Sequence, residues 1–201
     1  MKIHQWQNRK NEFSLVDNKK AARSVIKYIK NGDKILDIGC GDCIFFDFIR
    51  KKADVKMYAY DVVKESLEIA KKKGYTTCKS LNLKEKFNVI TMFEVIEHLD
   101  VNQKIEYVKI INKILSDNGY LILSFPNVRS ILSMQNYFNN IEHKTPIMNE
   151  NNLKILFSNY KIIHKSYLNP WVNPLKVWHS FVTGFGFSAI FNNVLLVLKK
   201  R

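Results

Sequence analysis

With 201 residues, 46% of them hydrophobic and 25% charged, the chain has the composition of a globular protein with a sizeable core. These values exclude collagen-like, low-complexity and disordered chains. The formal net charge of +14 favours anionic partners, although lysines are scattered along the whole chain rather than gathered in one block.

The first predicted elements alternate between helix and strand. SLVDNKKAARSVIKYIKNG predicts a helix that Asp17 caps and Gly32 closes. KILDI predicts a buried strand, and a helix follows from Asp42 through IFFDFIRKK. VKMYAY predicts a second strand that ends at Asp61, and VVKESLEIAKKKG predicts a helix that Gly74 stops.

The second half of the chain continues this alternation. YTTCK and FNVITM predict the third and fourth strands, and a helix over residues 102–115 follows. Asn118-Gly119 predicts a turn into the fifth strand, YLILSF, which Pro126 ends. A short helix over residues 149–157 and the strand YKIIHKSYL come next. The pattern predicts a doubly wound α/β fold in a single domain, residues 1–201.

The last segment is the longest uncharged stretch. The stretch from Val177 to Leu198 contains no fully charged residue and is long enough to cross a bilayer. The adjacent Asn192 and Asn193 are costly in lipid. We therefore predict a loop or short helix followed by a buried strand, FNNVLLVLK, with contact to a membrane surface as the alternative.

Cysteine usage and the N-terminus bear on location. The three cysteines are too few for a disulfide framework and favour a reducing compartment. The sequence MKIHQWQNRKNEF has no apolar region of signal-peptide type. These features predict a cytoplasmic protein.

The segment ILDIGCGDC, residues 35–43, predicts a ligand-binding loop at the end of the first strand. Gly39 and Gly41 let the backbone turn tightly and approach a ligand, and the next helix begins with free N–H groups. The segment also contains a CxxC pair, Cys40 and Cys43. Zinc would need further ligands and no second CxxC exists, whereas a redox role is physically possible. We interpret both cysteines as small residues that fill a tight loop.

A second acidic residue follows at the distance that a nucleotide site requires. Asp61 lies 20 residues after Gly41 and ends the second strand. A carboxylate there can hold both hydroxyls of a ribose. The alternative is an aspartate that caps the next helix, but the glycine loop before it favours the ribose role.

Four segments in order resemble the motifs of class I S-adenosylmethionine-dependent methyltransferases: ILDIGCGDC, Asp61 after YAY, FNVITMFEVIEHLD and LILSFPN. The resemblance covers residues 30–168 and implies a Rossmann-like, mostly parallel seven-stranded sheet with an antiparallel last strand. Cys43 stands where the family usually has a third glycine. An NAD-binding Rossmann protein would instead need a glycine at Ile44.

The resemblance also implies how S-adenosylmethionine is held. The methionine end would lie against Asp37 and the glycine loop, and the ribose at Asp61. The adenine would lie near Val62 and the turn KSLNL, where Ser80 replaces an aspartate that the family often has. The implied cofactor residues are Asp37, Gly39, Cys40, Gly41, Asp61, Val62, Ser80, Leu81 and Phe93.

The segment after the fourth strand would lie beside the methyl group. For an oxygen acceptor, a base with a pKa near neutral removes the hydroxyl proton, and histidine suits this best. We predict His98, with Glu94 and Glu97, as catalytic; the alternative is that they only brace the loop. The pattern also resembles metal-using quinone-pathway and small-RNA methyltransferases, in which these three residues and His143 would hold a divalent ion.

The acceptor site is expected from residues 1–29 and 126–190, around a cofactor-binding core of residues 30–125. We predict a small-molecule acceptor, polar or anionic, with methylation at a hydroxyl. An N/D-P-P-Y motif of amino methylation is absent. RNA ribose methylation and a non-catalytic cofactor-binding protein are the alternatives, and either a monomer or a homodimer fits. Aromatic candidates for the pocket are Trp6, Phe13, Tyr137, Phe138, Trp171, Trp178, Phe181 and Phe185.

Overall fold

The computed structural model describes residues 20–127, 150–170 and 191–201. The strands are β1 (Lys34–Ile38), β2 (Lys56–Tyr60), β3 (Thr76–Thr77), β4 (Phe87–Phe93), β5 (Leu115–Pro126), β6 (Tyr160–Pro170) and β7 (Phe191–Lys200). The helices are α1 (20–25), α2 (Ile44–Ile49), α3 (Lys64–Lys72), α4 (Val101–Ile114) and α5 (Glu150–Leu156). Single 3-10 turns cover Ile26–Tyr28 and Ile96–His98.

The seven strands form one mixed sheet in the order β3-β2-β1-β4-β5-β7-β6. The strands from β3 to β5 pair in parallel, whereas β7 runs antiparallel to both β5 and β6. This confirms the predicted Rossmann-like sheet and its antiparallel last strand. The order reverses between β1 and β4, so their carboxyl ends form the crevice where such sheets bind ligands.

Helices cover both faces of the sheet, because successive side chains of a strand point to opposite faces. Ile35 of β1 packs with Phe46 of α2 on the face that α1, α2 and α3 cover. Its neighbour Leu36 packs with Ile111 of α4 and Leu153 of α5 on the other face. Burial on both faces explains why the central strands are continuous apolar runs.

Two predicted boundaries were wrong. The first helix ends before Ile26 and continues only as a 3-10 turn, so Gly32 lies in a later turn and does not close the helix. Asn118 and Gly119 do not form a turn before the fifth strand. They lie inside β5, in a bulge where the register to β4 jumps from Leu115 to Tyr120.

The uncharged C-terminal stretch is in part a central strand. Val194 to Leu198 of β7 are buried between β5 and β6, as the strand prediction for FNNVLLVLK requires. Residues 171–190 lie outside the described residues, as do Asp17 and the eight aromatic candidates of the acceptor pocket. Within the described ranges, no helix is both long and apolar enough to cross a membrane.

Candidate active site

The glycine loop is fixed to the end of β2 by its backbone. Gly39 N and Cys40 N both donate to Tyr60 O, at 2.8 and 3.1 Å. Gly39 has φ +81°, and a Cβ built there would collide with Cγ2 of Val95. A glycine is therefore required, and its absent side chain lets the loop after β1 touch the segment after β4.

Cys43 takes over the position where the related family usually has a third glycine. Its φ is 61° and its ψ 26°, a left-handed conformation that explains the usual glycine. The loop nevertheless closes, because Cys43 N donates to Cys40 O at 2.8 Å. A hydrogen bond with Cys43, together with burial, raises the pKa of the Cys40 thiol. Because a redox CxxC needs a lowered thiol pKa, this environment argues against the redox interpretation.

Asp61 connects the glycine loop to the helix that follows β2. Its Oδ2 accepts from Gly41 N and its Oδ1 accepts from Val63 N, both at 2.9 Å. Val63, not Asp61, is the N-cap residue of α3, so Asp61 binds the turn before the helix and does not act as its cap. Each carboxylate oxygen keeps a second lone pair, so two ribose hydroxyls can still donate to Asp61.

Asp37 is a buried acid at the bottom of the crevice. Its side chain is 3% exposed, and its Oδ1 accepts from Thr91 Oγ1 of β4 at 2.6 Å. Burial, together with the charge of Asp61, raises the pKa of Asp37 to about 7, although the Thr91 hydrogen bond lowers it. A cationic ligand group beside Asp37 would favour its charged form.

The residues predicted to lie near the adenine differ in their exposure. Val62 is 70% exposed although it is apolar, which suits a residue that a flat ring covers. Ser80 is exposed, whereas the Leu81 side chain belongs to the core and leaves only its backbone for a ligand. Phe93 packs edge-on against Phe45 at 4.9 Å between ring centroids.

Glu94 follows β4 in a strained conformation. Its φ of 54° is uncommon for a residue with a side chain. Two hydrogen bonds join Glu94 to Ser124 of β5. Glu94 N donates to Ser124 O at 3.1 Å, and Ser124 Oγ donates to Glu94 Oε1 at 2.6 Å. Strain that neighbours enforce in this way is frequent at functional sites.

Glu97 lies beside Glu94 and is 2% exposed. Burial, first of all, and the neighbouring charge of Glu94 raise the pKa of Glu97 well above its ordinary value. Its Oε2 has no hydrogen-bond partner among the described residues. Lys104 of α4 is also buried; burial lowers its pKa, and Glu97 and Asp100 oppose this shift.

His98 is half-buried in the 3-10 turn after β4, and its N donates to Val95 O at 3.0 Å. The segment that contains Glu94, Glu97 and His98 lies beside the glycine loop, because Val95 contacts Gly39. His143 lies outside the described residues. Among the residues that the structure describes, no three His, Cys, Asp or Glu side chains are placed to hold a metal ion.

The sequence matches the methyltransferase-domain family over residues 6–164. It is a class I S-adenosylmethionine-dependent methyltransferase. S-adenosylmethionine is therefore the cofactor of this methyltransferase. No curated protein sequence matches it significantly.

Solved structures share the fold of the methyltransferase at low identity. A SAM-dependent methyltransferase from Archaeoglobus fulgidus superposes with a TM-score of 0.75 at 19% identity, over 93% of this chain and 94% of that one. The N-methyltransferase NodS from Bradyrhizobium japonicum gives 0.66 at 16% identity, over 95% and 98%. Magnesium protoporphyrin IX methyltransferase from Synechocystis, with bound SAM, gives 0.61 at 14% identity, over 92% and 81%.

Three residues of the methyltransferase that contact the motifs were not predicted from the sequence. Thr91 orients Asp37, and Ser124 orients Glu94, each through a side-chain hydrogen bond. Val95 leaves no space for a side chain at Gly39. A signal was present for the first two, because each is a polar residue inside an otherwise apolar strand. Such a residue needs a hydrogen-bond partner when it is buried. For Val95 we find no corresponding signal in the sequence.

Proposed function

We propose that this methyltransferase methylates a hydroxyl group of a polar small molecule. The observation that carries the proposal is the contact between Gly39 and Val95. It joins the loop assigned to the methionine end of the cofactor to the segment of Glu94, Glu97 and His98. A base placed on that segment is close to the position where the methyl group leaves.

The residues at the crevice fit the cofactor. Gly39 lets the loop after β1 contact Val95, where any side chain would collide, and Asp37 offers a carboxylate to an ammonium group. Asp61 accepts from ribose hydroxyls, and Val62 gives the adenine an apolar contact. When bound, the cofactor supplies an electrophilic methyl group on a sulfonium, so the protein has to bind, align and desolvate the reactants.

His98 is assigned as the base that takes the proton of the acceptor hydroxyl. The raised pKa of Glu97 favours its protonated form, and we propose that this carboxyl donates to the Glu94 carboxylate so that the pair carries one negative charge. Ser124 fixes the direction of that carboxylate. The Glu94–Glu97 pair thus provides a single, oriented charge next to the histidine.

Two alternatives have weaker support. A divalent ion held by Glu94, Glu97, His98 and His143 would use the unpartnered Oε2 of Glu97, but the described residues form no such cluster. A non-catalytic role rested on Cys43 and Ser80, and the closed loop at Cys43 removes part of that basis.

The entrance for the acceptor and the cellular location are also proposals. The acceptor would enter between residues 1–29 and 126–190 of a single domain, most of which lie outside the described ranges. A cytoplasmic location is consistent with free thiols at Cys40, Cys43 and Cys78.

The first test is calorimetric titration of S-adenosylhomocysteine into the wild type and the Asp61→Ala variant. We expect the variant to bind about 10 to 100 times more weakly, because hydrogen bonds to a charged group are lost. Glu65→Ala is the matched control, since it removes an exposed acid from the first turn of α3. Equal affinities of Asp61→Ala and wild type would contradict the ribose assignment.

The hydroxyl acceptor is tested by transfer of a labelled methyl group to a panel of sugars, phosphorylated metabolites and phenols, with and without magnesium. We expect His98→Gln to lower kcat and to leave S-adenosylhomocysteine affinity unchanged. Transfer to amines only, or full activity of His98→Gln, would exclude the proposed chemistry.

A further inference from the structure

The edge of the sheet where the parallel strands begin carries most of the excess positive charge of the described residues. We call it the amino edge. Lys34 and Lys56 are the first residues of β1 and β2, and Lys86 precedes β4. Because β7 is antiparallel, its last residues reach the same edge. Its cations are Lys30, Lys34, Arg50, Lys51, Lys52, Lys56, Lys84, Lys86, Lys113, Lys161, Lys199, Lys200 and Arg201.

Contacts between distant parts of the chain confirm this gathering. Lys86 Nζ donates to the carbonyl of Lys113 at the end of α4, at 2.6 Å. Lys200 Nζ donates to Asn112 O at 3.1 Å, and Arg201 N donates to Asn159 O before β6. Residues far apart in the sequence therefore share one edge.

Acidic residues only partly balance this charge. The amino edge contains Asp33, Asp54, Glu85 and Asp117, and Asp47 pairs with its Arg50 at 3.8 Å. These five acids against thirteen cations leave a surplus of eight. Glu85 pairs with Lys34 and Asp117 with Lys200, each at 3.3 Å. The described acids Asp37, Asp42, Asp61, Glu94, Glu97 and Asp100 lie at the opposite, carboxyl edge.

We propose that the amino edge docks on the surface of an anionic phospholipid bilayer. Its cations span the six strands from β2 to β6, about 24 Å at about 4.8 Å per strand. They also extend over the helix ends on both faces of the sheet, at Lys52 after α2 and Lys113 in α4. Positive charges that are spread over two dimensions match the planar surface of a bilayer better than they match the line of phosphates along a nucleic acid strand.

The residue types favour lipid over nucleic acid. Eleven of the thirteen cations are lysines, which act as point charges, and only two are arginines, the usual bidentate partners of phosphate. The exposed large hydrophobic residues of the described ranges include no aromatic side chain on which a base would stack.

The docked orientation leaves the active site accessible. The glycine loop, Asp61 and Glu94 all follow the carboxyl ends of strands, so they face away from the bilayer. Pro170 and Phe191 pair at that same far edge, where residues 171–190 begin and end.

The experiment is sedimentation with phosphatidylcholine vesicles that contain or lack phosphatidylserine. The edge variant is Lys51→Glu/Lys52→Glu/Lys56→Glu. The control with the same change in net charge is Lys20→Glu/Lys64→Glu/Lys165→Glu, at the starts of α1 and α3 and inside β6; all six lysines are exposed. A second edge variant, Lys30→Glu/Lys84→Glu/Lys161→Glu, samples other parts of the edge. S-adenosylhomocysteine titration shows that each variant is folded.

We expect binding only to the phosphatidylserine vesicles, lost with added salt and weakened on the order of a hundredfold in both edge variants. The control variant should bind within a fewfold of wild type. Equal weakening in edge and control variants, or no vesicle binding by wild type, would overturn the proposal. Tighter, edge-dependent binding to duplex RNA than to vesicles would also overturn it.

Discussion

At the scale of single residues, Asp37 shows how a binding requirement opposes stability. Its pKa of about 7 lies above the ordinary value of 3.8, because its carboxylate is buried. Between these values the folded chain retains a proton that the unfolded chain has released. Stability is therefore lost as the pH rises from about 4 to about 7.

The Asp37→Asn variant should remove this cost. We expect the cofactor-free variant to melt at a higher temperature than wild type at pH 8, by about 2–4 °C for each kcal/mol recovered, with little difference at pH 4. Its affinity for S-adenosylhomocysteine should fall, because the neutral amide cannot pair with the ammonium group. Thermal unfolding at both pH values and calorimetry measure the two effects; a variant that is less stable than wild type at pH 8 would contradict the argument.

The motif residues could be predicted from the sequence, but the residues that surround them could not. Asp37 and Asp61 were identifiable because each ends an apolar strand and is followed by a turn. The positive φ of Glu94 was not, since it depends on the pairing of Glu94 with Ser124, a residue 30 positions away. Such long-range contacts have no local pattern in the chain.

At the scale of the elements, the bulge in β5 depends on Gly119. A Cβ there would lie 2.7 Å from Leu115 Cδ1 and 2.9 Å from the backbone oxygen of Ser116. The leucine side chain can move, but the backbone oxygen can move only with the bulge. Asn-Gly was interpreted as a turn because the same dipeptide serves both structures, and the pairing with β4 decides between them.

Gly119→Ala should therefore destabilise the protein by about 1–3 kcal/mol, as overpacking in a buried strand does. The neighbouring Asn118→Ala is the control, because Asn118 is exposed in the same bulge. Denaturant unfolding should show a lower midpoint for Gly119→Ala and a nearly unchanged one for Asn118→Ala. Equal midpoints of the two variants would mean that the bulge accommodates a side chain.

At the scale of the whole molecule, the two helical layers depend on one sheet. Leu195 of β7 packs in the layer of α1 to α3, and Leu196 packs in the layer of α4 and α5; both are fully buried. We expect Leu195→Ala and Leu196→Ala each to cost about 2–5 kcal/mol. Native-state hydrogen exchange should show faster exchange in both layers for either variant. Loss of protection confined to one layer would indicate that the layers unfold separately.

The distribution of charge is also a property of the whole molecule. Along the sequence the lysines look evenly scattered, yet the described ones gather because strand starts and helix ends recur at one edge. Composition gave the net charge, and only the topology shows where it lies. We expect the concentration of acids at the opposite edge to favour the approach of the cationic sulfonium cofactor to the crevice.

The position of β7 also constrains how the protein is made. During synthesis β5 emerges long before residues 191–200, which later cover its free side. Until then LILSF, apolar and rich in β-formers, is an open strand on a growing chain. The nascent protein therefore passes through a period in which a second nascent chain can take the place of β7, and its yield in cells should depend on chaperones that shield this strand.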